Sequence, residues 1–371
     1  MKKSLLKCRF ISAISFGWVI LLNWAFQPAY SQSYFSFQTA KGYMLAHSSD
    51  LRDIHGWPNI FKLDYAIRLN SKEYHHCLNT PLSGVSLTYM DHDHPATGKS
   101  VSLSTFLQPT IRKWGRHEVS GRMSLGLSHV QNPFDPVKNP LQQAIGSNMN
   151  FFVEGQLLYA YNLASNLDIG VNSGLIHISN GARKLPNSGL NILAVGIGAN
   201  YRITGENHIP FKNVNHPELP YEIDDITHYV NFRGGLKSIR ILDYDVFPAF
   251  GLNYTMAYRY HPIGSYTIGF DADYNEGYIK EMHAVNRAGD DYTPFSHWRW
   301  ALAAGHELHM NRLSLITQFA YYVVLPHSLH KRTYQRYGLK YELSRRTVIA
   351  ATLRAHAARA DYMEWTVGRK F

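Results

Sequence analysis

The chain has 371 residues, 13% of them aromatic and only 17% charged, with 37 Lys+Arg against 27 Asp+Glu. That balance excludes a disordered chain and a coiled coil, and a mean hydropathy of -0.26 excludes a bundle of membrane-spanning helices. A soluble β-rich protein and a β-barrel of an outer membrane remain.

Lys2, Lys3, Lys7 and Arg9 precede an apolar run from Phe10 to Phe26, which is followed by Pro28 and the small-residue ending Ala29-Tyr30-Ser31. This is the pattern of a cleaved secretory signal peptide over residues 1–31, and the run is short for a membrane anchor. Cys8 stands ahead of the apolar core, too early to carry a lipid. Taking those four basic residues and no acid from the total leaves a net charge of +6, too mild for a dedicated nucleic-acid binder. Cys77 is then the single cysteine, so no intrachain disulfide can form. Residues 32–371 read as one domain.

From there the chain alternates with period two, the mark of strands with one apolar and one polar face. Over 60–69 the odd positions are Phe61, Leu63, Tyr65, Ile67 and Leu69, while Lys62, Asp64 and Arg68 are even. Over 298–308 one face carries Trp298, Trp300, Leu302, Ala304 and Leu308, and the other carries Arg299, Gly305 and Glu307. About sixteen such segments recur, each of a length suited to a tilted membrane strand. They begin near residues 39, 59, 83, 99, 119, 150, 166, 190, 227, 247, 264, 297, 312, 332, 347 and 361. Short connections such as 162–166 and 310–312 alternate with long ones such as 131–149 and 276–296, the rhythm of periplasmic turns and outer loops. The link 204–226 is long on the side where turns should be short. Trp365, Val367 and Phe371 share one face of a terminal aromatic strand. The expected fold is all-β: an antiparallel transmembrane barrel of an outer membrane, with an even number of about 12–16 strands.

Most chemical motifs are absent. Gly98-Lys99-Ser100 resembles the end of a phosphate loop, but Asp93 stands where its first glycine belongs. Asp91-His92-Asp93-His94 and His75-His76 have the composition of metal ligands without a partner cluster, and read as solvated outer loops. No metal and no organic cofactor is expected.

One stretch stands out: Gly174-Leu175-Ile176-His177-Ile178-Ser179-Asn180-Gly181, then Leu185-Pro186-Asn187-Ser188-Gly189-Leu190-Asn191. Ile169, Val171, Ser173, Leu175, His177 and Ser179 share one parity, and Asn191, Leu193, Val195 and Ile197 share one on the returning strand. The hairpin therefore brings His177, Ser179 and Asn191 to one lipid-facing edge. A serine nucleophile needs a base within reach, and the base needs a third group to orient it. Residues i and i+2 on a strand point the same way, about 6–7 Å apart at the backbone. The alternative reading is a pair of polar residues lying among lipid headgroups.

This signature resembles that of the outer-membrane lipid A 3-O-deacylase (PagL-type) family, also known as acyloxyacyl hydrolases. The resemblance extends to Asn139-Pro140, to Ala144-Ile145-Gly146-Ser147 with Asn150, and to Leu353-Arg354-Ala355-His356 with Ala360-Asp361 and Glu364-Trp365. It implies an enzyme that removes an ester-linked acyl chain from lipid A or lipopolysaccharide in the outer membrane. Ser179 would be the nucleophile, His177 the general base, and Asn187 with Asn180 the oxyanion residues. Arg183 and Lys184 would meet phosphates or acidic sugars of the substrate, or simply be solvated. The chain departs from the family where a glutamate is expected as the triad acid: it has Asn191, with Asp361 and Glu364 as substitute acids. The chain is about twice the length of the compact eight-stranded members, which implies a wider barrel. A non-catalytic channel or binding barrel on the same scaffold is the competing reading, and pairing of two copies as a homodimer is left open.

Overall fold

The computed structural model describes residues 32–46, 51–203, 225–239, 246–278, 280, 297–325, 332–356 and 359–371. Residues 1–31, expected as a signal peptide, and the link at 204–224 lie outside them. Nearly all of the rest is antiparallel strand. The first group is β1 (Ser33–Met44), β2 (Asn59–Arg68), β3 (Leu82–Asp91), β4 (Lys99–Gln108), β5 (Thr110–Trp114), β6 (His117–Val130), β7 (Met149–Ala164), β8 (Leu167–Ser179) and β9 (Leu190–Arg202). The second is β10 (Asp225–Ser238), β11 (Val246–His261), β12 (Gly264–Asn275), β13 (Trp298–Met310), β14 (Leu313–Val324), β15 (Thr333–Glu342), β16 (Thr347–His356) and β17 (Arg359–Lys370).

The strands close as two rings of eight. In the first, β1 pairs with β2 and β9, and the circle completes where β4 pairs with β6. The short β5 continues β4 past Pro109 and pairs with the same partner, so it adds no wall of its own. In the second ring β10 to β17 close through the pairing of β10 with β17. The even count of alternating segments is therefore met, but the single wide barrel over 32–371 is corrected to two narrow ones. Alternation specifies a strand and its faces, not its partners. The long link on the turn side falls between β9, which closes the first ring, and β10, which opens the second. By compactness the chain divides into one unit holding β1–β9 and another holding β10–β17 with residues 133–147 and 179–189.

Both rings are inside out relative to a soluble protein. On β2, Phe61, Leu63 and Tyr65 are 43–44% exposed, whereas Lys62 and Asp64 are almost fully buried. On β13, Trp300 and Leu302 face outward and Arg299 is wholly enclosed. An apolar exterior around a polar interior suits a chain solvated by lipid and excludes the soluble sandwich.

Neither interior is an open pore at mid-height. In the first barrel Arg122 forks onto Asp64 at 2.6 and 3.1 Å, Lys62 pairs with Glu154, and Ser124 donates to Glu154 at 3.1 Å. In the second, Arg336 bridges Asp271 and Glu364 at 2.7 and 2.6 Å, and Arg354 bridges Asp273 and Glu364 at 2.6 and 2.8 Å. Removing one partner of such a buried pair leaves an unpaired charge and costs about 3–5 kcal/mol. The wide lumen that chain length implied is replaced by two narrow ones, each crossed by buried ion pairs.

Two histidines depart from the solvated loops expected of them. His92 is buried, its Nε2 lies 2.8 Å from Ser100 Oγ, and burial pushes its ring down to about 4, so it stays neutral. Ser100 is thus occupied, and Gly98, at φ +62, makes the turn between β3 and β4 rather than a phosphate cradle. His75, in the short helix Glu73–Cys77, accepts the Ser71 and Lys72 backbone N–H groups at 3.0 Å, and burial lowers its ring to about 4. Among the described residues no three His, Cys, Asp or Glu side chains are grouped to hold a metal ion.

Candidate active site

The β8–β9 hairpin presents the apolar stripe that parity requires, with Ile169, Val171 and Leu175 on one strand and Leu193, Val195 and Ile197 on the other all exposed. Ile176, Ile178 and Ile192 point inward. The register sets His177 directly opposite Asn191 and Leu175 opposite Leu193. Across that pair His177 Nδ1 lies 2.6 Å from Asn191 Oδ1. An amide oxygen only accepts, so Nδ1 carries a proton, and in the neutral ring the lone pair is on Nε2. Ser179 ends β8, two residues beyond His177 on the same parity. The Asn191 backbone carbonyl accepts the Leu45 N–H at 2.8 Å, which ties this end of β9 to the end of β1.

The loop that follows is held by its own polar groups. Asn180 Nδ2 donates to the Lys184 carbonyl at 2.7 Å and to Ser147 Oγ at 3.0 Å, and Asn180 Oδ1 accepts the Lys184 N–H. The Asn180 backbone N–H donates to Asn187 Oδ1 at 2.8 Å. Both amide hydrogens of Asn180 and its main-chain N–H are therefore spent, which corrects its expected place as an oxyanion donor: it positions the loop. The contact to Asn187 has the opposite consequence. A backbone N–H can only donate, so it fixes which end of the Asn187 amide is oxygen, and Asn187 Nδ2 is left buried with no hydrogen-bond partner among the described residues.

The 139–147 motif acquires a structural reason here that the sequence did not supply. Gly189, at φ +83, donates its N–H to the Ala144 carbonyl at 2.9 Å. Gly146 lies so close that a Cβ there would stand 2.8 Å from the Pro186 carbonyl oxygen and 2.9 Å from Leu185. With Ser147 bound to Asn180, residues 144–147 form the bed on which 180–189 rests. Gly146→Val should push the Leu185–Pro186 segment away and displace Asn187 by a large fraction of an ångström. Misplacement on that scale lowers an enzyme's turnover by about 10²-fold. The expected result is lost activity with unchanged heat-modifiable mobility of the barrel on a gel; full activity would contradict this account of the loop.

Arg183 is exposed and Lys184 half-buried in the same loop. The substitute acids are committed elsewhere: Glu364 to Arg336 and Arg354, and Asp361 to Lys237 at 2.9 Å and His356 at 3.3 Å. Their carboxylates belong to the polar interior of the second barrel, a destination that C-terminal sequence similarity could not reveal.

Residues 60–200, which include the hairpin and most of the first barrel, match the family model described as lipid A 3-O-deacylase (PagL). Residues 225–371, the second barrel, match the model described as acyloxyacyl hydrolase, C-terminal domain. No curated protein matches the chain. Among solved structures, the crystal structure of the outer membrane enzyme PagL is similar at 16% identity, covering 45% of this chain and 99% of that one, with a TM-score of 0.31. Neisserial surface protein A (NspA) is similar at 13% identity over 46% of this chain and 97% of its own, with a TM-score of 0.31. OccAB4 of Acinetobacter baumannii covers 93% of this chain and 98% of its own at 8% identity and a TM-score of 0.24. With one model on each barrel and the two together spanning most of its length, the chain belongs to the lipid A 3-O-deacylase (PagL)/acyloxyacyl hydrolase family of outer-membrane barrels.

Proposed function

We propose that this protein is an outer-membrane serine esterase that removes an ester-linked acyl chain from lipid A, with Ser179 as nucleophile and His177 as base. The observation that carries the reading is the His177 Nδ1 to Asn191 Oδ1 contact of 2.6 Å, because it fixes the one tautomer in which Nε2 can accept a proton. Ser179 Oγ attacks the ester carbonyl and its proton passes to His177 Nε2. The tetrahedral intermediate collapses, the sugar hydroxyl leaves with that proton, and the acyl chain remains on Ser179. Water, deprotonated by the same nitrogen, then releases the fatty acid.

Asn187 supplies what an oxyanion needs. Its Nδ2 is a buried donor with its orientation set from the far side of the amide and nothing else to bond. Such a donor is unsatisfied in the resting protein and satisfied only when negative charge develops on the carbonyl oxygen, which is the condition for stabilising the transition state over the ground state. Arg183 and Lys184, in the same loop, offer cationic contacts to the phosphates of the substrate. The apolar stripe below the hairpin suits an acyl chain lying along the wall. The buried ion pairs that cross both barrel interiors favour this reading over a passive channel.

Asn187→Ala tests the reading in a mixed-micelle assay on purified lipid A. Its expected effect is a fall in kcat of about 10²–10³-fold with little change in KM. Asn187→Asp should fall as far, since it keeps the acceptor and loses the donor. A folded Asn187→Ala protein with wild-type kcat would remove Asn187 from the oxyanion role.

A further inference from the structure

The end of the first barrel that carries the start of β1 and the short turn after Ala164 holds a polar cavity of ≈ 90 Å³. It lies at the end of the barrel opposite His177. A single water needs about 10–15 Å³ of such space, so the cavity has room for a group several waters in size. Its inner side is closed by Gln38, which donates to Asp64 at 3.3 Å, and by the Arg122–Asp64 pair behind it.

The charges around this cavity do not balance. Arg68, Arg202, Lys113 and Arg116 line it, against Glu118 and Asp168. Both acids already have partners: Glu118 accepts from Thr110 at 2.9 Å and lies 3.6 Å from Lys113, and Asp168 accepts from Asn162 at 2.8 Å. Arg68 and Arg202 both lie against the ring of buried Tyr34, with their guanidinium carbons 5.5 and 5.7 Å from its centroid. Arg68 spends its Nη1 on the Thr80 carbonyl at 3.0 Å, and Arg202 spends its Nη1 on the Ser165 carbonyl at 2.9 Å. Arg68 Nε donates to Tyr34 Oη at 3.4 Å, and Glu118 and Asp168 act on Arg68 only through space. Among the described residues neither guanidinium pairs directly with a carboxylate, and the buried Arg202 Nε–H has no acceptor. Two cations brought to one enclosed space, with donors left over, are costly unless an anion joins them.

We propose that this cavity binds a small oxyanion of phosphate size between Arg68 and Arg202. The forked donors of two arginines match a tetrahedral oxyanion, and the Tyr34 ring keeps both guanidiniums in place. The site is independent of the esterase reading, since it can be filled or empty whatever the hairpin does.

The test uses the full chain in neutral detergent and follows the phosphorus NMR line width of inorganic phosphate, with chloride matched for ionic strength. A second arm replaces phosphate by micelles doped with phosphatidylglycerol, whose phosphate is part of a headgroup, and follows the same line. Arg202→Gln is the principal variant, because Arg202 is only half-buried and its loss spares the interior. Gel mobility verifies that it is folded, and Lys99→Gln, at the far end of β4, is the charge-matched control. The expected result is saturable broadening in one arm that Arg202→Gln weakens at least tenfold and Lys99→Gln leaves unchanged. Broadening with free phosphate identifies a soluble anion, and broadening with phosphatidylglycerol alone identifies a lipid headgroup. No saturable broadening in either arm, or equal broadening in wild type, Arg202→Gln and Lys99→Gln, would overturn the proposal.

Discussion

Replacing Ser179 by alanine is expected to lower lipid A ester hydrolysis by about 10³-fold or more while the barrel still folds and inserts. The alanine removes only the hydroxyl at the end of β8 and leaves the His177–Asn191 pair intact. With no oxygen to acylate, the covalent route closes, and the remaining rate is what the oxyanion donor and substrate positioning can give to direct attack by water. Initial rates of fatty-acid release in mixed micelles check this. A folded Ser179→Ala protein within tenfold of wild type would assign the nucleophile elsewhere.

Changes at Asn191 should move activity in both directions. In the proposed mechanism its Oδ1 orients the imidazole but carries no charge to stabilise the imidazolium that would form when His177 takes the serine proton. Asn191→Asp keeps the acceptor at nearly the same place and adds that charge, so kcat should rise by about 10-fold, a fraction of the roughly 10⁴-fold that the reverse change costs in a serine protease triad. Asn191→Leu keeps the volume, removes the acceptor and frees the ring, and kcat should fall by about 10²-fold. Equal rates for asparagine, aspartate and leucine would show that another group orients His177. Neither substitution should disturb closure of the ring, because the Asn191 main chain still accepts from Leu45.

Much of this was legible in the chain itself. Period-two alternation placed the start of every wall strand but the first to within about two residues, and parity put His177 and Asn191 on one edge because a strand's faces depend only on odd and even counting. The ring closure was not legible. Nothing in the alternation of β9 or β10 says that each pairs with a distant strand, β1 and β17 respectively, and only the overlong 204–226 link hinted at it. The roles within the 180–189 loop were equally hidden. Asn180 and Asn187 look interchangeable as sequence, yet the backbone hydrogen bond between them makes one a brace and leaves the other with a free donor. The assignment of Asp361 and Glu364 to a buried ion-pair network required knowing which barrel their strand belongs to. His92 read as a loop histidine because its hydrogen bond to Ser100 spans a turn whose closure sequence does not reveal.

The most direct test of the central claim is the mass spectrum of lipid A from outer membranes expressing the wild-type chain, beside membranes expressing Ser179→Ala at equal folded amounts. The account predicts that lipid A loses the mass of one ester-linked acyl chain with the wild type and keeps it with Ser179→Ala. Unchanged lipid A in both, with the barrel shown to be folded and inserted, would contradict the assignment of lipid A as the ester that Ser179 cleaves.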